Sequence, residues 1–318
     1  MQPAFSVIFL TTLIGAAQGL FLALYGTTLF RINELNPTDL HRFVAIGSGV
    51  AWVLSALGLG ASFFHLGQPT RAWRSATMWR TSWLSREVIA LPLFMFGLAL
   101  YGVAHFFAWD GAPFVGIFTL LACLALFVCT AMVYASIRFL QEWASPWTLV
   151  NYTLLGCASG LTLATLLAAL CEMSSHLVHT YALTAMVLTL VAWLTRSASL
   201  RRNARLQSKS TLQSAIGIRH PRIVQKAQGF MGGSFNTREF FHGRSSALLR
   251  IVKWAFLLMV FPLPILALAL ALTLGVNSVS PTALWAAFAI QYIGLLAERW
   301  FFFAQANHPQ NLYYQNMS

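Results

Sequence analysis

The stretch APFVGIFTLLACLALFVCTAMVYASI, residues 112–137, contains 26 residues and no Asp, Glu, Lys or Arg. An apolar run of about 20 residues is long enough to cross the hydrocarbon core of a bilayer as an α-helix. Hydrocarbon offers no partner to backbone N–H and C=O groups, so a spanning segment has to satisfy them internally. This stretch therefore predicts a transmembrane helix.

Eight such runs occur along the chain and determine the predicted fold. The composition agrees, because 58% of the residues are hydrophobic and 9% are charged, against about 25% charged residues in a typical soluble domain. The predicted spans are residues about 4–30, 43–64, 88–109, 112–137, 147–171, 177–195, 254–276 and 281–297. We predict an all-α polytopic membrane protein, a single domain over 1–318, with a long basic loop, residues 196–253, between helices 6 and 7.

Span 2 is rich in small residues at close spacings: Gly47, Ser48, Ser55, Gly58 and Gly60. Small residues let helix backbones approach each other closely in a membrane. We therefore expect span 2 to occupy the centre of the bundle.

Lys and Arg are distributed unevenly between the two sides of the predicted bundle. Of the 20 basic residues, Arg31 and Arg42 lie between spans 1 and 2, and all the others fall on the side shared by the two termini. The positive-inside rule places the more basic side in the cytoplasm. Both termini, the connection between spans 2 and 3 and the loop 196–253 are therefore expected to be cytoplasmic.

The net charge of +12 has an ordinary explanation in a membrane protein. A basic chain can bind nucleic acid, but basic cytoplasmic connections are also attracted to anionic lipids. We therefore expect the lipid bilayer as a partner and no nucleic acid.

Most acidic residues lie at or beyond span ends, which argues against a proton pump and weakens the case for an ion-coupled transporter. A small-solute transporter remains the rival from another class, supported by Pro262 and Pro264 of span 7.

The cysteines and histidines show no spacing typical of metal ligands. The four cysteines fall inside predicted spans without a CxxC pair or a Cys/His cluster, so they are interpreted as packing residues. A bis-histidine haem needs two histidines that face each other. The candidates are His65, His105, His176, His179 and His41. No pair at matching depth is evident, so no haem or metal is expected in this chain, with a b-haem electron carrier as an alternative.

The connection FFHLGQPTRAWRSATMWRTSWLSREV, residues 63–88, holds one histidine, four arginines, three tryptophans and one glutamate. Tryptophans at the interface, arginines on the cytoplasmic side and a glutamate at a helix N-terminus are each ordinary. Antiparallel neighbours, however, place His65 and Glu87 at the same membrane level. A quinone site needs an aromatic wall and a protonatable group open to water, for which histidine and a carboxylate are suited. We expect His65 and Glu87 to handle protons there, and the arginines and tryptophans to fill the space between them.

Two segments of this connection, HLGQPTRAWR (65–74) and SWLSREV (82–88), together resemble the signature of the membrane-anchor subunits of dimethyl-sulfoxide-reductase-type molybdenum enzymes. The resemblance implies a membrane-anchor domain without haem that binds a quinone, ubiquinone or menaquinone, in a bacterial cytoplasmic (inner) membrane. It also implies a four-cluster, ferredoxin-like iron–sulfur subunit and a molybdopterin catalytic subunit as partners. His65 and Glu87 match the quinone-site residues of that family. The candidate cofactor-binding residues are His65, Arg71, Trp73, Arg74, Trp83, Arg86 and Glu87.

NTREFFHG, residues 236–243, also resembles a motif of this anchor family. The candidate partner-binding residues are Arg80, Asn236, Arg238, Glu239 and His242. The expected orientation separates two branches, because the dimethyl sulfoxide reductases place their catalytic subunits outside the cytoplasm. The sulfite-oxidising, quinone-reducing enzymes place theirs inside. The sequence therefore favours electron flow from sulfite to quinone, and the alternative is the anchor of a dimethyl sulfoxide (or related S- or N-oxide) reductase that oxidises quinol.

Overall fold

The computed structural model describes residues 2–30, 36–65, 67–207, 211–224, 245–274 and 281–309, with the backbone alone for His65, Pro69, Thr273 and Leu274. The regular structure of these ranges is helical, which confirms the all-α prediction. The α-helices are α1 Phe5–Leu29, α2 Pro37–Ser62, α3 Trp83–Phe106, α4 Ala112–Ala135, α5 Pro146–Leu170, α6 Ser175–Ala204, α7 Leu212–Ile216, α8 Ser246–Val260, α9 Pro262–Leu274 and α10 Pro281–Ala304. Phe63–His65 and Pro69–Ala76 form 3-10 turns.

Serine side chains cap the starts of several helices. The hydroxyl oxygens of Ser82, Ser145 and Ser174 accept hydrogen bonds from backbone N–H groups at the starts of α3, α5 and α6. A cap of this kind satisfies an N–H group that has no partner inside the helix. Pro146 follows its cap at the first helical position, where its missing N–H is not needed. Local sequence therefore determines where these spans begin.

In the described residues, seven helices are long and apolar enough to cross a membrane, namely α1 to α6 and the continuous pair α8–α9. The last of these is interrupted at Pro262, where proline removes a helical hydrogen bond. The eighth predicted span is α10, whose 24 residues include the polar side chains of Gln291, Glu298 and Arg299, so it is less apolar than the others. The predicted count of eight is therefore close to the observed seven without matching it.

The centre of the bundle is the contact between α1 and α5, which are the most deeply buried spans. Gly15 and Gly19 are four residues apart on α1, and Gly156 and Gly160 are four residues apart on α5. A Cβ atom on Gly160 would lie 2.2 Å from the carbonyl carbon of Gly19, and one on Gly19 would lie 2.2 Å from the carbonyl oxygen of Gly156. Glycines at this spacing allow the two backbones to touch.

The expectation that span 2 is central is wrong. A smaller share of α2 is buried than of α1 or α5, and α2 packs mainly on α1 and α3. Two of its glycines face α1: a Cβ atom on Gly47 would lie 2.7 Å from Leu24, and one on Gly58 would lie 3.1 Å from Ile14. Ser48 faces α3, where a Cβ atom on Gly102 would lie 3.2 Å from it. The pattern identified a close helix contact, but the partner, α1, is the helix at the centre.

Successive spans run antiparallel because short connections join them, such as residues 107–111 and 171–174. The starts of α1, α3, α5 and α8 therefore meet the ends of α2, α4, α6 and α10 at one end of the bundle. We call this end the N-side and the opposite end the far side. The connection 63–88 belongs to the N-side.

Replacing Gly160 by alanine is expected to destabilise the bundle, because the new methyl group would overlap backbone atoms of α1 that cannot rotate away. Overpacking of this kind costs about 1–3 kcal/mol. The apparent melting temperature of the detergent-purified protein should fall by several degrees. Gly60→Ala is the matched control, since nothing lies within 4 Å of its Cβ position, and equal melting temperatures of the two variants would contradict the assignment.

Candidate functional site

A cavity of about 260 Å³ lies on the N-side, between α1, α2, α3 and the 3-10 turn Pro69–Ala76. Its wall is mostly apolar and includes Leu10 of α1, Leu59 of α2 and Leu91 of α3. Trp73 contributes an aromatic side chain and Glu87 a carboxyl group. Ligand sites are typically apolar clefts with few polar groups, so this cavity is the candidate functional site.

Glu87 lies early in α3 and is held by α4. The hydroxyl of Thr130 donates a hydrogen bond to Oε1 of Glu87 at 2.7 Å. Thr130 is itself buried, near the end of α4. The carboxyl group is therefore fixed in orientation at the wall of the cavity.

The 3-10 turn Pro69–Ala76 covers the cavity from the N-side. Proline fixes φ at the start of this turn, and the backbone N–H of Arg71 donates to the carbonyl of Gln68 at 3.1 Å. Ala72, Trp73 and Ser75 of the turn all line the cavity. Trp73 also remains 66% exposed, so its ring stands at the boundary between the cavity and the surroundings of the bundle.

Arg86 holds the remainder of the connection together. Its Nε donates to the carbonyl of Trp79 at 2.9 Å, and its Nη2 donates to the carbonyl of Arg80 at 2.8 Å. The guanidinium also lies 4.2 Å from the centroid of the Trp83 ring, at the distance of a cation–π contact. These contacts hold the side chains of Arg86 and Trp83 against other residues of the connection, and neither side chain lines the cavity.

Of the predicted cofactor-binding residues, Trp73 and Glu87 line the cavity. Arg71 and Arg74 are exposed on the N-side surface. His65 ends the turn Phe63–His65, directly after Ser62 and Phe63, which do line the cavity. Since the side chain of His65 lies outside the described part of the structure, its pairing with Glu87 stays a prediction.

The predicted partner-binding residues are only partly described. Arg80 is exposed on the N-side, with its guanidinium 5.4 Å from the centroid of the Trp79 ring. Asn236, Arg238, Glu239 and His242 lie outside the described residues. Their contact with a partner stays a prediction.

A buried cluster of charged side chains was missed by the sequence analysis. Glu298 is fully buried, with Oε1 at 2.7 Å from Nη2 of Arg196 and Oε2 at 2.6 Å from Nε of Arg299. The predicted spans ended at residues 195 and 297, which placed all three residues outside the bundle. The signal that could have found them is the apolar run FFFA, residues 301–304, which continues α10 beyond the charges.

The connection 136–145 closes the N-side over this cluster. Nε1 of Trp143 donates to the carbonyl of Phe302 at 2.9 Å, and the two rings stack with centroids 5.4 Å apart. Arg202 donates to the carbonyl of Gln141 at 3.0 Å. Burial also raises the pKa of the Glu142 carboxyl in this connection. The charges beneath are thereby separated from the aqueous surface.

The haem candidates lie at two different ends of the bundle. The expectation that no two of them lie at matching depth is wrong, because His41 and His105 meet on the far side, with ring centroids 4.9 Å apart. Tyr101 lies 4.6 Å from His105. His176 and His179 belong to the start of α6, also on the far side, whereas His65 lies on the N-side, at the end of the turn Phe63–His65. Within the described ranges, no three His, Cys, Asp or Glu residues are grouped so that they could hold a metal ion.

Comparison with known proteins agrees with the resemblance carried by residues 65–88. The family model "DMSO reductase anchor subunit (DmsC)" matches residues 1–225. The chain is also 53% identical, over 331 aligned positions, to a sulfite dehydrogenase subunit of Allochromatium vinosum, and the alignment covers the whole of both chains.

Arg86→Gln is expected to loosen the connection, because glutamine cannot span the carbonyls of Trp79 and Arg80 or lie on the Trp83 ring in the same way. Limited digestion with trypsin should then cut faster after Arg80, by several-fold. Arg71→Gln is the control, since Arg71 is exposed on the same connection. An unchanged cleavage rate in Arg86→Gln would show that these contacts do not hold the connection.

Proposed function

Since the chain belongs to the DMSO reductase anchor subunit (DmsC) family, we propose that it is the quinone-binding membrane anchor of a molybdenum oxidoreductase. It is a multi-pass membrane protein, and it serves a complex whose other subunits carry the molybdopterin and the iron–sulfur clusters. Electrons pass between those clusters and the quinone pool at the anchor. The chain supplies the quinone site, and the partner subunits supply the site for the oxidised or reduced substrate.

The observation that carries the quinone proposal is the cavity of about 260 Å³, which combines apolar helix surfaces with Trp73 and Glu87. A quinone, when bound, supplies a redox reaction of two electrons and two protons. The apolar side chains of α1, α2 and α3 would hold its ring and the start of its tail next to the lipid. The Trp73 ring would form part of the wall toward the aqueous side. The residues present therefore fit such a group.

Glu87 would hold or move a proton at this cavity. Thr130 donates to Oε1, so Oε2 is the atom at which a proton would be gained or released. A positioned carboxyl group of this kind contributes about 10²–10⁴-fold to a rate. His65 would be the second proton-handling group, at the other end of the same connection, because histidine is a residue type suited to proton transfer.

The sulfite branch is favoured over the reductase branch on two grounds. The relative with 53% identity over both whole chains is named as part of a sulfite dehydrogenase. The distribution of basic residues also favours a cytoplasmic N-side, with both termini in the cytoplasm of a bacterial inner membrane. Electrons would then flow from sulfite to the quinone, whose two protons would come from the cytoplasm.

The isosteric substitution Glu87→Gln is expected to lower quinone-linked sulfite oxidation of the purified complex by at least about 100-fold, because glutamine cannot carry a proton. Sulfite oxidation with an artificial dye should be unchanged, since the dye takes electrons from the partner subunits. Asp110→Asn, on the exposed far side, is the control. Equal losses of both activities would mean that Glu87 supports assembly and has no part in quinone chemistry.

Filling the cavity is expected to exclude the quinone without removing any proton-handling group. Val88→Trp places an indole in the space that Val88 now lines, so the KM for a water-soluble quinone analogue should rise at least about tenfold. Leu93→Trp is the control on the same helix, because Leu93 is exposed on the outside of the bundle. Unchanged KM values in both variants would place the quinone elsewhere.

A further inference from the structure

A second cavity, of about 310 Å³, lies on the far side of the bundle. It is enclosed by the start of α2 and by the connection 171–174, which joins α5 to α6. The cavity that Glu87 lines is at the opposite end of the bundle. Binding sites for small ligands have volumes of about 300–1,000 Å³, so the far-side cavity has room for a small polar group.

The rim of the far-side cavity carries three charged side chains. Asp39 and Arg42 come from α2 and Glu172 comes from the connection, and all three residues are exposed. Among the residues that the structure describes, none of these side chains takes part in an ion pair or a hydrogen bond. One guanidinium group and two carboxylates are therefore open to a ligand.

The wall next to this rim is apolar. It includes Phe43 and Ile46 of α2 and Leu170, the last residue of α5. Ile46 and Leu170 are each 43% exposed, so the wall is open toward the outside of the bundle, where the lipid tails of a bilayer would lie. A ligand that matches both parts of this cavity has to be charged at one end and apolar at the other.

The charged rim lies at the level of the membrane interface. Trp109, in the connection 107–111 at the same end of the bundle, is 56% exposed, and exposed tryptophans at span ends mark the level of the lipid headgroups. Asp39 is in the first turn of α2. Ile46 lies about two turns further along, toward the middle of the bundle. The charges are thus at the headgroups and the apolar wall is beside the start of the acyl chains.

The charges of the rim favour a headgroup that carries both signs. A phosphate pairs well with a guanidinium group through charge-assisted hydrogen bonds. A primary ammonium group offers three hydrogen-bond donors, which suits two carboxylates. An anionic headgroup without an amine would meet like charge at Asp39 and Glu172, and the quaternary ammonium group of choline has no N–H to donate.

We propose that the far-side cavity binds one molecule of phosphatidylethanolamine. The phosphate contacts Arg42, the ammonium group contacts Asp39 and Glu172, and an acyl chain follows the apolar wall. Because α2 packs mainly on α1 and α3, the bound lipid joins α2 to the connection between α5 and α6. The proposal is independent of the quinone site, which lies on the N-side.

The experiment measures the binding of single lipids to the delipidated, detergent-purified complex by native mass spectrometry. The probes are dioleoyl phosphatidylethanolamine, phosphatidylglycerol and phosphatidylcholine, each added alone. The first molecule of phosphatidylethanolamine should bind at least about fivefold more tightly than either of the others. This is the size of one favourable ion pair at an exposed site. Arg42→Gln and Asp39→Asn should each weaken its binding by about two- to fivefold.

Two variants serve as controls. Asp110→Asn removes a carboxylate that is exposed on the far side but does not line the cavity, so it should bind phosphatidylethanolamine as the wild type does. Arg42→Lys keeps the positive charge and should retain more of the binding than Arg42→Gln. If Arg42→Gln fails to assemble, the comparison of Asp39→Asn with Asp110→Asn decides.

Preference for phosphatidylethanolamine that is reduced in Arg42→Gln and Asp39→Asn and kept in Asp110→Asn supports the proposal. Equal affinities for the three lipids overturn it, as does wild-type affinity in either Arg42→Gln or Asp39→Asn. Water-soluble phosphoethanolamine is tested as a competitor. If it displaces the lipid at equal concentration, the apolar wall contributes nothing and the site is not one for a membrane lipid.

Discussion

The backbone contact between α1 and α5 is the constraint on which the rest of the bundle depends. Because Gly19 and Gly160 carry no side chain, the two helices touch at the centre, and the remaining spans pack around this pair. The start of α1 thereby lies between the apolar cavity and the small space beside Arg299. Leu10 faces the cavity, while Thr11 and Thr12 line the small space beside Arg299.

The N-side combines an interfacial surface of arginines and tryptophans with an apolar cavity and a cluster of buried ions. The connection 63–88 carries exposed arginines and tryptophans, as expected at a membrane interface. One layer deeper lie the apolar cavity, at whose wall Thr130 holds Glu87, and the buried ions, where Arg299 lies 5.5 Å from the centroid of the Tyr152 ring. Burying an ion has an effective penalty of several kcal/mol, and the ion pairs of Glu298 with Arg196 and Arg299 offset part of it. The chain belongs to the DMSO reductase anchor subunit (DmsC) family, and the lining of the cavity supports the quinone site proposed for it.

The predictions succeeded where one chemical feature dominates a segment. Apolar runs without charge predicted helices that the structure also contains, although α2 and α8 start six and eight residues before the predicted positions. The motifs around Trp73 and Glu87 led to the family that the comparison confirms. They failed where the end of a helix had to be chosen. Span 6 was ended before Arg196 because a charge normally marks the membrane boundary, yet α6 continues to Ala204. An ion pair with Glu298, about a hundred residues away in sequence, makes that burial possible.

By itself the sequence determined that the chain crosses the membrane repeatedly as helices, because no other local structure satisfies the backbone in hydrocarbon. It also determined that the connection 63–88 holds the candidate chemistry, since residue types are local. Only the tertiary structure decided which helices are central, which of those residues reach the cavity, and which charges are buried. Those properties depend on contacts between distant segments, such as Gly19 with Gly160 and Thr130 with Glu87. The spacing of the glycines marks each helix as one that can pack closely, but it does not tell which helix is the partner.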